Sequence, residues 1–167
     1  AGTIDLPFYT PAHELTHHWW GNQLMPADAR GASMLTESIT EYITLNIYER
    51  QYGAAQALKF LALQHERYLR GRTGEPDREP PLMLAGPEQQ YLAYGKGTLA
   101  FNTMRHYLGE DSLNGILGRF LDNYRNQGPP YPTSADLVQR LKQSTPDSLR
   151  YLVTDLFETV TFCDNAI

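Results

Sequence analysis

The sequence is poor in cysteine: Cys163 is the only one in 167 residues. An internal disulfide is therefore excluded, and any stable fold must rest on its core. There is no apolar run long enough to cross a bilayer and no signal-peptide pattern, so the chain as it stands is expected to be soluble. Basic charge is also short. Fourteen Lys and Arg stand against nineteen Asp and Glu, giving a net charge of −5 that is spread along the chain. No basic stripe and no interleaving of basic and aromatic residues is present, which argues against nucleic acid as a partner. Internal repeats and low-complexity tracts are missing as well, which argues against a solenoid or a disordered linker.

What is present is globular. The hydrophobic fraction is 41%, and the aromatic fraction of 11% includes eleven tyrosines. That length and composition suit a single domain over residues 1–167 with a real core. The periodicity is mostly helical. In "TPAHELTHHWW", Thr10 is placed to cap a helix and Pro11 to occupy its first position. The preceding "GTIDLPFY" looks like an extended lead-in.

"SMLTESITEYITLNIYERQYG" repeats apolar residues at helical spacing and closes at Gly53, and "AAQALKFLALQHERYLRG" follows in the same pattern. Residues 72–89 are rich in Pro and Gly and read as a long loop, a place where function often resides. Helix resumes near Tyr91 or Tyr94 and ends at Gly109. A further helix follows in "DSLNGILGRFLDNYRNQG". Thr133 or Ser134 caps the next one, and the pair Thr145–Pro146 opens the last. "VTFCD" at the C-terminal end reads as a short strand. The fold class is mainly α.

The segment "HELTHHWWGN", His13 to Asn22, carries the chemistry. Residues four apart on a helix project from one face, so His13 and His17 point together, about one turn apart. That is the reach needed to hold one metal ion. Glu14 is turned by about 100° from His13, which leaves it facing an open coordination position without filling it. Zinc suits such a set, because imidazole nitrogens bind it well and a catalytic zinc keeps a water. A carboxylate beside that water can take its proton. The string H-E-x-x-H does occur by chance in unrelated proteins, and histidines four apart are often plain surface residues.

A third ligand distinguishes the cases. "MLTESITEY" supplies Glu37 and Glu41 on the next helix. They are themselves four apart and face the same way, so spacing does not choose between them. Either can equally be a solvated helix face.

Together, "HELTHHWWGN" and "LTESITEY" resemble the zinc aminopeptidases of the M1 (gluzincin) family. Their pattern is H-E-x-x-H, a W-x-G-N continuation and a later glutamate in an L-x-E-x-x-x-x-Y setting. The resemblance implies His13, His17 and Glu37 as zinc ligands, Glu14 as general base and no metal role for His18. One departure is visible. The family places eighteen residues between the second histidine and the glutamate, whereas His18 to Thr36 makes nineteen. The extra residue is expected in the loop "QLMPADARGASM". "YLAYGKGTLAF" resembles a second family motif, Y-E-K-G, whose tyrosine hydrogen-bonds the oxyanion. Tyr94 matches it, and Gly95 stands where the glutamate is usual. Without the resemblance, Tyr94 is one of eleven tyrosines at a helix start.

"HHWWGNQ", "RYLRGR", "YGKGTLAFNTMRHYLGED" and "PPYPTSADL" extend the likeness to a bacterial subgroup. Its peptidase region is fused to, or encoded with, an ABC-type transport permease. The resemblance then implies the helical lobe of a thermolysin-like catalytic domain, taken from a longer, membrane-associated parent. The G-x-M-E-N segment that holds the substrate amine in this family, and the β-rich lobe, are not in the sequence. The implied activity is removal of N-terminal residues from peptides, with little turnover expected of this chain alone. The competing expectation is a non-catalytic, peptidase-like interaction module of a transporter. The retained Glu14 argues against a dead site.

Overall fold

The computed structural model describes residues 4–75 and 78–161. Among these, every regular element is helical. Helix α1 spans Leu6–Thr16, α2 Ile39–Tyr52, α3 Ala54–Thr73, α4 Gly97–Leu108, α5 Glu110–Tyr124, α6 Ser134–Ser144 and α7 Arg150–Val153. The mainly α expectation holds. Of the "VTFCD" strand, Val160 and Thr161 have no regular structure, and residues 162–164 lie outside the described residues.

The first helix starts earlier than the sequence suggests. Asp5 is the N-cap, its side chain accepting from the Phe8 amide, and Pro11 lies inside the helix. Pro7 at the second position supplies the fixed φ that suits a first turn. The N–H missing at Pro11 would have paired with the carbonyl of Pro7, an exposed residue open to hydration. Phe8 and Tyr9 reinforce the early start. Phe8 packs edge-on against Tyr52 at 5.2 Å, and Tyr9 against Phe60 at 5.4 Å, between ring centroids. The "GTIDLPFY" lead-in is therefore helical from Leu6; residues 2 and 3 lie outside the described residues.

Other boundaries follow their capping chemistry. Gly53 and Gly109 end α2 and α4 with φ of 81° and 86°. Thr133 and Asp136 form a reciprocal capping box at α6. Helix α2 is central, touching α1, α3 and α4. The main core gathers Leu35, Ile39, Tyr42, Phe101, Phe120 and Phe157, all buried. Arg105 joins three helices, bonding Glu49 at 2.6 Å and Glu110 at 2.7 Å.

Two π-helical turns, Met34–Ser38 and Tyr91–Lys96, lead into α2 and α4. They are fused to each other. The Ser38 hydroxyl donates to the Ala93 carbonyl at 2.6 Å. A methyl added at Gly97 would sit 2.1 Å from Ser38 Oγ. Gly97→Ala is therefore expected to cost about 1–3 kcal/mol through overpacking. Urea denaturation of the variant measures it; unchanged stability would show that the seam yields. Gly95 has a similar cause. A Cβ there would meet the Gln64 carbonyl and the Tyr68 amide of α3, each at 2.9 Å. The close approach of α3 explains why no glutamate stands at this position.

Candidate metal centre

The site forms where α1 crosses the two π turns. His13 comes from α1, His17 from its C-cap, Glu37 from the first turn and Tyr94 from the second. Nε2 of His13 and Nε2 of His17 are 3.1 Å apart. Glu37 Oε2 lies 3.4 Å from each of them. Atoms bound at about 2.0–2.1 Å to one tetrahedral ion stand about 3.3–3.4 Å apart. The three observed separations match that triangle.

The protonation pattern points the same way. His17 Nδ1 is 2.9 Å from the Trp20 carbonyl, so it carries the proton and leaves Nε2 bare. His13 Nδ1 is 2.9 Å from Glu41 Oε1, with the same consequence. Glu37 Oε2 is buried and has no hydrogen-bond donor. Three potential ligand atoms therefore face one another, and a cation at their centre, whether a metal ion or a proton on His13 Nε2, reconciles them. Two imidazoles and a carboxylate suit Zn²⁺.

Charges in the site respond accordingly. Burial lowers the His13 pKa, but the Glu37 and Glu41 carboxylates outweigh it and push the group up to about 9. Burial raises Glu37, yet His13, Tyr94 and His17 hold its carboxyl below the usual range. Burial and the Glu37 carboxylate push the Tyr94 hydroxyl well above its ordinary value, so it remains a neutral donor. The Tyr94 ring stacks on His13, centroids 5.8 Å apart at 17°, and the Arg67 guanidinium sits 4.5 Å above its centre.

Glu14 on α1 and His18 in the turn that follows it are exposed. The expected extra residue between His17 and Glu37 need not lie in the loop, because a π turn takes one residue more than an α turn. A cleft of about 360 Å³ adjoins Tyr9 and is lined further by Leu6, Leu63, Glu66, Arg67 and Arg70.

Sequence reasoning missed Tyr9, Gln64 and Glu79. Buried Glu79 takes Lys96 at 2.7 Å and the Tyr68 hydroxyl at 3.1 Å, pinning the long loop to the Tyr94 turn. Nothing in linear spacing marks such partners.

The family model "Peptidase family M1 domain" matches residues 9–157. The chain belongs to peptidase family M1. Its fold is similar to that of the M1 zinc metallopeptidase from Deinococcus radiodurans, at 21% identity and a TM-score of 0.69. A variant of that enzyme bound to a Tyr-Ser-Ala substrate gives 20% identity and a TM-score of 0.71. Both likenesses cover 92% of this chain and 33% of the other. The chain thus spans about a third of these M1 structures. No curated protein matches the sequence. No described helix is long and apolar enough to cross a membrane.

Proposed function

We propose that this chain is the helical part of a zinc-dependent M1 aminopeptidase that removes N-terminal residues from peptides. The single observation that supports the reading most is the triangle of ligand atoms that His13, His17 and Glu37 bring together. When bound there, zinc would supply Lewis acidity for the scissile carbonyl and acidify a water.

The chain's own residues supply the rest. His13 and His17 would hold the cation through Nε2, and Glu37 would neutralise part of its charge. Glu14, on the exposed face beside His13, takes a proton from water at its carboxylate and later gives it to the leaving amine. Tyr94 keeps its proton and offers an O–H to the oxygen on which charge develops. A neutral donor held in place stabilises charge that exists only in the transition state. The Arg67 guanidinium over its ring keeps the phenol oriented. By the subgroup likeness, the parent also works beside a transport permease at a membrane.

Aminopeptidase specificity is tested on the full-length protein with paired substrates. An aminoacyl anilide should be hydrolysed in a zinc-dependent manner, and its N-acetylated counterpart should not. Equal rates on both would remove the exopeptidase assignment. No turnover of either, with zinc bound, would favour the binding-module reading instead.

A further inference from the structure

Glu41 lies against the site yet has no part in the reaction set out above. Its side chain is fully buried. A carboxylate so placed needs donors, and the groups around it approach as donors. The Tyr9 hydroxyl donates to Oε1. Gln64 Nε2 donates to Oε2 at 2.6 Å. His13 Nδ1 is 2.9 Å from Oε1. The angle there falls short of a regular hydrogen bond, but that nitrogen has no other partner.

We propose that Glu41 is a positioning residue, which keeps the His13 proton on Nδ1 and presents the Nε2 lone pair to the cation. Tyr9 and Gln64 hold the carboxylate in place for this task. The proposal rests on the reading of His13 as a zinc ligand. It goes further by dividing the two histidines. His17 is oriented by a neutral carbonyl, that of Trp20, whereas His13 is oriented by a buried anion. An anion on the far nitrogen makes an imidazole the more basic ligand, and losing such a partner typically weakens metal binding about 10–100-fold. His13 is accordingly the stronger donor of the pair. The first π turn and the start of α2 therefore set Glu37 and Glu41 on opposite edges of one imidazole. Glu37 faces Nε2, and Glu41 faces Nδ1.

The experiment is a zinc titration of the full-length protein against a chromophoric chelator, with Co²⁺ spectra as a second readout. Glu41→Gln keeps the shape, and Gln64 can adapt to it. Gln64 Oε1 has no partner, so its amide can turn to accept from the new side chain. Zinc affinity should fall about 10–100-fold. The Co²⁺ spectrum should retain its coordination number with a shifted d–d envelope. Tyr9→Phe should weaken zinc severalfold, and its effect should vanish in the Glu41→Gln background.

His13→Ala is the control. If it abolishes zinc binding while Glu41→Gln leaves affinity within about twofold, below the outer-shell range, the positioning role is overturned and the ligand reading stands. If His13→Ala itself leaves zinc unchanged, the ligand reading falls. Should Glu41→Gln fail to fold, Tyr9→Phe decides: weaker zinc supports the proposal, and unchanged affinity overturns it.

Discussion

Glu14→Gln in the full-length protein is expected to lower kcat by about 10³-fold or more, while zinc content and KM stay near their wild-type values. The size follows from what a positioned general base contributes, about 10²–10⁴-fold. Glutamine fills the same space but cannot take a proton. Glu14 is exposed and lies outside the triangle of metal-facing atoms. The change should therefore cost little stability, within the usual range of about ±0.5 kcal/mol for surface positions. Loss confined to kcat is the signature of an interaction made in the transition state. Steady-state kinetics with metal analysis of the same sample decide the matter. Retained turnover with bound zinc would remove Glu14 from the proton path. Loss of zinc together with activity would make it a structural residue.

Glu37→Ala is expected to have the larger effect on the metal. The substitution removes the anion of the triangle and leaves the two Nε2 atoms, 3.1 Å apart, without it. Affinity for zinc should fall by more than about 100-fold, the upper end for loss of an outer-shell partner. Stability gives an independent measure. A ligand at about 100 times its Kd stabilises the folded state by about 2.7 kcal/mol. Adding zinc should raise the thermal midpoint of the wild type and leave that of Glu37→Ala nearly unmoved. A chelator should reverse the wild-type shift. An equal zinc response in both proteins would mean that the glutamate is no ligand, and the peptidase proposal would lose its third donor.

Much of the architecture was legible because its punctuation is local. Gly53, Gly109 and Thr133 mark helix ends through φ preference and capping, which act within a few residues. The start of α1 was not, because two prolines compete for the same signal. Pro11 has the expected form of a first-turn proline. Asp5 and Pro7 give an equivalent start that also buries Phe8 and Tyr9, a gain visible only once α2 and α3 are in place. The π turns carry no compositional mark. In the site, the i, i+4 logic put His13 and His17 together, and the structure brings Glu37 to both. Spacing left Glu37 and Glu41 as alternatives, and the family likeness chose one. The structure engages both, since an imidazole has two nitrogens and each needs a partner. Tyr9 and Gln64 could not be read in advance, because they approach Glu41 across separations of 32 and 23 residues.

The Ser38–Gly97 seam binds the fates of two functional groups. Glu37 precedes Ser38 directly, and Tyr94 lies one turn before Gly97. Bulk added in the seam would push the two π turns apart and move the carboxylate and the phenol relative to each other. Metal retention and oxyanion support would then both suffer from one change remote from either group. A change at Glu37 or at Tyr94 alone would instead touch only one of the two. Drift at either seam position during evolution would thus call for a matching change at the other.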